Sequence, residues 1–380
     1  MAKIYKKASG NGSLCLYLGR RDFVDHVEHV DSIVFLTKTL ELNVYTCTLI
    51  SLSDGVLKID PSNLNGRQVW VQLACTFHYG RENLDVIGVS FRKDIWVKRI
   101  QMYPPPTNKP PNTTPMQDVL LKKAGDQGHP FTFDIPVHLP CSVSIQPAPE
   151  DVGKPCGVDY EIKAYIANEA DNLNEKISKK DICRLTIRKI QYAPEKLAAG
   201  PKADLNKHFI TMDKPIHLEA SIEKELYYHG EPIPVKVKVN NETSKVVKKI
   251  KITIYQITDV VLYSADKYYK CVLDEEFGDQ VNGNSTFEKE YKVNPLLAKN
   301  KEKFGLALDG KLKDEDTNLA SSTLLLPDMD MNKEMRGIMV SYKIKVTLMM
   351  GGGLLGSLTT SNITAELPLV LMSPKPAGLI

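Results

Sequence analysis

The sequence predicts an all-β protein: two antiparallel β-sandwich domains joined by a hinge, with one short helix in the N-terminal domain. Three observations lead there. Apolar and polar residues alternate in many short runs, turn residues separate those runs, and a single segment carries a helix signature. At 380 residues, with 42% hydrophobic and 25% charged residues, the chain has enough apolar material for about two cores. That composition excludes wholesale disorder, and the 23 Gly and 23 Pro carry no period, which excludes collagen.

Leu14-Cys15-Leu16-Tyr17-Leu18 is the first clear strand and ends at Gly19. The helix follows a Pro-rich stretch, Pro104 to Pro111, read as a stiff loop. Thr114-Pro115-Met116-Gln117 forms a capping box with Thr at the N-cap, Pro at the first helical position and Gln at the third. Met116, Val119, Leu120 and Ala124 recur at helical spacing, Lys122 and Lys123 suit the last turn, and Gly125 ends it. From Tyr192 to Pro201, prolines and small residues break the strand pattern. The expected division is therefore 1–190, a hinge at 191–206, and 207–380. In the second half, Ile233 to Val239 alternates strictly and stops at Asn240-Asn241. Val246 to Tyr255 places Ile250, Ile252 and Ile254 on one face and Lys249, Lys251 and Thr253 on the other. Val340 to Leu348 repeats the pattern. Each of these strands is expected to have one dry and one wet face.

Lys+Arg minus Asp+Glu is 49 − 46 = +3, too small for bulk attraction to nucleic acid or membrane, so no nucleic-acid partner is expected. The start, MAKIYKKASG, has no apolar signal region, and no apolar run approaches the ~18 residues of a membrane span. Seven scattered cysteines without a CxxC pair read as reduced thiols in a cytoplasmic protein. In that compartment the sequons at Asn112, Asn241, Asn284 and Asn362 are silent.

Catalytic signatures are absent: no GxSxG, HExxH or Walker A motif occurs. Gly351 to Gly356 matches GxGxxG, but the strand-like Ser357-Leu358-Thr359-Thr360 follows where a dinucleotide fold needs a helix N-terminus. The eight His residues show no ligand spacing. No catalytic residue, metal or cofactor is expected. What stands out is clustered positive charge: Lys6-Lys7, Arg20-Arg21, Lys122-Lys123, Lys179-Lys180 ahead of Arg184, Arg188 and Lys189, and Lys311 with Lys313. Singly these are solvated faces; converging, they would form a multivalent site for phosphates.

Four long segments resemble the arrestin family: Arg21 to Val27 (RDFVDHV), Tyr79 to Gly88 (YGRENLDVIG), Tyr228 to Pro232 (YHGEP) and Leu308 to Thr323 (LDGKLKDEDTNLASST). The resemblance runs in order over nearly the whole chain. Lys6 to Gly12, Phe23 and Val260 to Ser264 resemble the visual branch, and the cone type in particular.

The resemblance implies a non-enzymatic, cytoplasmic protein of photoreceptor cells, moving to the outer segment on activation. It would bind phosphorylated, activated G-protein-coupled receptors such as opsin and block G-protein coupling. It implies a polar core at Asp22, Arg184, Asp309 and Asp316. The implied phosphate-sensing lysines are Lys6, Lys7, Lys122, Lys123, Lys179, Lys180, Lys311 and Lys313. A receptor-entering finger loop is implied at Glu82, Asn83, Leu84, Asp85, Val86, Ile87 and Gly88, and a middle loop from Gln146 to Gly157. An edge loop with Leu354, Leu355 and Leu358 would touch membrane peripherally or bind clathrin. The alternative reading is a non-visual trafficking adaptor linking receptors to clathrin.

Two departures stand out. Residues 34–53 are additional, either a translated short intron or an added hairpin. No acidic tail is found before Ile380, so the basal state is expected to be held less firmly. Asp314 also stands where the family usually has His.

Overall fold

The computed structural model describes residues 3–25, 27–29, 45–47, 51–79, 91–105, 113–136, 138–149, 156–168, 176–194, 198–208, 214–261, 267–310, 317–324, 337–350 and 362–375. In chain order the first half contains β1 (Tyr5–Ala8), β2 (Leu14–Leu18), β3 (Asp22–Asp25), β4 (Val27–His29), β5 (Tyr45–Cys47), β6 (Ser51–Ile59), β7 (Gln68–Tyr79), β8 (Phe91–Tyr103), α1 (Pro115–Ala124), β9 (Gly128–Ile135), β10 (Val143–Ile145), β11 (Cys156–Ala167) and β12 (Ile182–Gln191). The second contains β13 (Lys202–Lys207), β14 (Ile216–Ile222), β15 (Leu226–Tyr228), β16 (Ile233–Asn241), β17 (Val247–Val260), β18 (Lys267–Phe277), β19 (Ser285–Val293), β20 (Ala307–Asp309), β21 (Ile338–Met350) and β22 (Ile363–Met372).

The first sandwich stacks a four-stranded sheet, β1-β2-β6-β9, on a seven-stranded sheet running β20-β10-β11-β12-β3, with β7 on β11 and β8 on β7. The second stacks β13-β14-β16-β19 on β15-β22-β21-β17-β18. Short β4 and β5 pair with each other. Pairing is antiparallel throughout, apart from β12 with β3 and β15 with β22. These two parallel contacts matter because the first lies at the site described below. The strand β20 comes from the second half of the chain yet pairs with β10 in the first sandwich, with Val143 opposite Asp309. This crossover carries a carboxylate from one half of the sequence into the sheet of the other.

The alternation expected in β16, β17 and β21 is present. Ile250, Ile252 and Ile254 are fully buried, while Lys249 is exposed. Thr253 on the outer face is nevertheless buried. In β2 the expected wet face does not exist: all five residues are buried. Cys15 and Tyr17, on the polar side of the alternation, lie under α1 with Val56, Leu120 and Ala124. The sandwich core buries one face of β2 and the helix covers the other, which local alternation cannot anticipate.

The helix is capped as its sequence implies: Thr114 accepts the Gln117 amide and the Gln117 side chain accepts the Thr114 amide. Its buried face is Gln117, Leu120 and Ala124, at i, i+3 and i+7. Val119, expected on that face, points outward and is 43% exposed, because it sits about 100° around the helix from Leu120. Asp54 on β6 anchors the cap by accepting hydrogen bonds from Thr114 (2.9 Å) and Thr132 (2.8 Å). Lys122 and Lys123 are thereby held on the outside of the last turn.

Candidate functional site

Strand β12 alternates. Cys183, Ile187 and Lys189 face the interior, and Arg184, Thr186 and Arg188 face outward. Because β12 pairs in parallel with β3, Arg188 stands opposite Asp22. The guanidinium grips that carboxylate with two bonds, Nε to Oδ1 at 2.6 Å and Nη2 to Oδ2 at 3.2 Å, the fork geometry that makes Arg–carboxylate pairs strong. A third bond runs from Nη1 to the Gly310 carbonyl at 3.2 Å. Gly310 packs against β10 so closely that an added Cβ would lie 2.4 Å from the Ser142 Cβ. Only glycine allows this approach.

Asp309, just before Gly310, completes the cluster. It accepts bonds from the Ser321 amide (2.7 Å) and hydroxyl (3.1 Å). Burial pushes its pKa up to about 6, against the pull of those two bonds and of Arg188. His229 is also buried. Its Nε2 lies 3.1 Å from the Ser321 hydroxyl and 3.8 Å from Asp309 Oδ2. Burial lowers its pKa to about 4, so at neutral pH the ring is uncharged and its approach to Asp309 is not an ion pair. Beside the cluster a cavity of about 150 Å³ is lined by Ser142, Arg188, Tyr192, Asp309, Ser321 and Ser373, among others.

Arg184 does not belong to this cluster. It lies four residues away on the same face of β12, about 13 Å along the strand at 3.3 Å per residue. Opposite Lys163, it contacts Glu161 at 3.6 Å and remains 46% exposed. The residue that meets Asp22 and the Asp309 loop is Arg188. The sequence groups Arg188 with the basic run and offers Arg184 for the polar core, whereas the geometry brings Arg188 to Asp22 and Arg184 to Glu161. Period-2 alternation makes the two equivalent, and only the register with β3 separates them. Ser142, Ser321 and His229 went unnoticed because nothing local marks them. Asp316 lies outside the described residues.

Among the lysines, Lys6 and Lys7 are exposed on β1, which is an edge of its sheet. They point to opposite faces. The Lys6 ammonium lies 5.4 Å from the Tyr17 ring, and its pKa is raised by a hydrogen bond with that tyrosine. Lys7 faces β12 near Cys183, whose thiol pKa burial pushes up to about 12 while Lys7 pulls it down. Lys179 and Lys180 occupy a short 3-10 turn pinned against the β1–β2 turn. The Asn11 amide donates to the Lys180 carbonyl (3.0 Å), the Asn11 side chain to Asp181 (2.7 Å), and Arg67 to Asp181 (2.7 Å). Helix α1, with Lys122 and Lys123, packs on the β2 strand that pairs with β1. Three of the expected lysine pairs thus belong to one corner of the first sandwich. Lys311 and Lys313 lie outside the described residues, as do the finger loop Glu82 to Gly88 and the edge-loop leucines Leu354, Leu355 and Leu358. Of the middle loop, 150–155 lies outside as well.

Residues 52–193 match the family described as Arrestin (or S-antigen), N-terminal domain, and residues 212–376 match Arrestin (or S-antigen), C-terminal domain. The chain belongs to the arrestin family. Proteins similar to it over nearly its whole length are named Arrestin-C. The one from Lithobates pipiens is 52% identical over 377 residues, covering 99% of this chain and 90% of the relative. That from Homo sapiens is 49% identical over 379 residues (99% and 91%), and that from Bos taurus 50% over 380 residues (100% and 91%). As an arrestin, the chain is a receptor-binding regulator of signalling and not an enzyme. Among the described residues no helix is long and apolar enough to cross a membrane.

Proposed function

We propose that this arrestin binds phosphorylated, light-activated opsin in the cytoplasm of photoreceptor cells and blocks its coupling to G protein. The observation that carries the reading is the bidentate Arg188–Asp22 pair, half-accessible beside a buried Asp309 and fed by a lysine-rich sheet edge. A phosphorylated peptide can add to the open edge of β1 by main-chain hydrogen bonds, with Lys6 and Lys7 flanking it. Its phosphates then compete with Asp22 for the guanidinium, since two oxygens of a tetrahedral phosphate can accept the same pair of N–H bonds and the group carries more charge. Removing one partner of such a pair leaves the other charge poorly compensated, so the elements it joins separate.

The test is binding to phosphorylated and unphosphorylated light-activated opsin at several salt concentrations. The wild-type chain is expected to prefer the phosphorylated form, with a preference that weakens as salt rises. Lys6→Ala with Lys7→Ala should weaken binding to the phosphorylated form and flatten that salt dependence. Equal binding of both opsin forms by the wild type, with no salt dependence, would overturn the reading.

A further inference from the structure

The sequence contains two serine or threonine residues followed by proline, Thr114-Pro115 and Ser373-Pro374. The first is committed to the fold: Thr114 donates to Asp54 and accepts the Gln117 amide, and Pro115 is the first residue of α1. A kinase could take it only by unwinding the helix start. The second is placed differently. Ser373 follows the last residue of β22, is half-buried, and is succeeded by exposed Pro374 and then by Lys375. The proline disfavours helical backbone at Ser373 and so keeps it extended, the form in which a peptide enters a kinase cleft. It is held by a parallel bridge to Tyr192, in which the Ala193 amide donates to the Ser373 carbonyl at 3.0 Å. Opening these contacts at the end of a strand is a local event.

Ser373 also lines the cavity that Arg188, Lys189 and Asp309 line. Its bridge partner Tyr192 lies within electrostatic reach of both Asp22 and Arg188. A group added to this serine would therefore enter the cavity that Arg188 and Asp309 line.

We propose that Ser373 is the acceptor site of a proline-directed protein kinase, and that its phosphate competes with Asp22 for Arg188 from inside the molecule. In the transfer, Ser373 Oγ attacks the γ-phosphorus of a nucleoside triphosphate. The Oγ–P bond forms, the bond from that phosphorus to the β–γ bridging oxygen breaks, the hydroxyl proton passes to the kinase's base, and the nucleoside diphosphate leaves. The product carries a charge of about −1.5 to −2 at neutral pH. Placed in this cavity it attracts the Arg188 fork and repels Asp309, so both effects loosen the same cluster. The proposal rests on the receptor-binding reading for its consequence, but its first two steps can be read without any receptor.

The experiment treats the purified full chain, Ser373→Ala and Thr114→Ala with ATP and a proline-directed serine/threonine kinase that is active on a control peptide. Intact mass is expected to show one added phosphate on wild type and Thr114→Ala, and none on Ser373→Ala. Amide exchange across 22–25 and 188–191 should then quicken about tenfold in the phosphorylated wild type, an effect of the size typical for coupled sites. Binding to activated, unphosphorylated opsin should rise by a similar factor. No phosphate on Ser373, or a phosphorylated chain with unchanged exchange, overturns the proposal. If exchange quickens while neither opsin form is bound by any variant, the inference about Ser373 stands and the receptor reading falls.

Discussion

Arg184 and Arg188 share a strand, a face and a side-chain type, yet the fold gives them unlike roles. Arg184 sits mid-sheet at 46% exposure with a 3.6 Å approach to Glu161. Arg188 sits where β12 meets β3 and β20 comes in beside β10. It is 20% exposed, grips a carboxylate with two hydrogen bonds and donates to the Gly310 carbonyl as well. An exposed pair of the first kind is worth about 0–1 kcal/mol. A partly buried, bidentate pair of the second kind costs several times that to break from one side. The lesson is that a charge gains weight when several chain segments depend on it, and Arg188 joins Asp22, Gly310 and the neighbourhood of Asp309.

The largest expected effect tests this directly. Arg188→Glu places a third carboxylate against Asp22 and Asp309. It should cost about 3 kcal/mol of stability in a denaturant titration and raise binding to unphosphorylated activated opsin on the order of tenfold. Combining Arg188→Asp with Asp22→Arg should recover at least half of both changes. No recovery would mean that the pair itself is not what holds the basal state.

The next effect depends on pH. Asp309 has a folded pKa near 6, raised from its ordinary value of 3.8 by burial. Its contribution to stability is thus fullest below pH ~4 and declines as pH rises through 6, because above that the buried group must carry its charge. Asp309→Asn should therefore stabilise the chain at pH 8 by up to about 3 kcal/mol, the gap closing toward pH 4. Thermal melts of both proteins across that range provide the check, and a constant offset would contradict the assignment.

A smaller change is expected at Gly310. Gly310→Ala forces a methyl into the Ser142 contact, which should cost about 1–3 kcal/mol and shift β20 off β10. Denaturation midpoints of the single variant and of Gly310→Ala with Ser142→Gly measure it; relief by the second change would locate the clash. The smallest effect is the control that sharpens the comparison. Arg184→Glu should change stability by less than about 1 kcal/mol and leave the preference for phosphorylated opsin intact. A loss of that preference would make the two arginines equivalent after all.

Much of the fold was legible because the relevant physics is local. Period-2 runs such as Ile233 to Val239 and Val340 to Leu348 bury alternate residues whatever they pair with, and the Thr114-to-Gln117 capping box needs only its own turn. Identity of the family was legible too, since long motifs such as Leu308 to Thr323 survive as written. Only the tertiary structure decided which arginine meets Asp22, because that choice depends on a parallel register between residues 166 positions apart. It also decided that Cys15 and Tyr17 are dry and Val119 wet, through the angle at which α1 lies on its sheet. And it brought Asp309 into the first sandwich by a strand from the other half of the chain. Alternation and capping act over a few residues, whereas register and crossover are set by which distant faces can be buried together, and no local pattern encodes that.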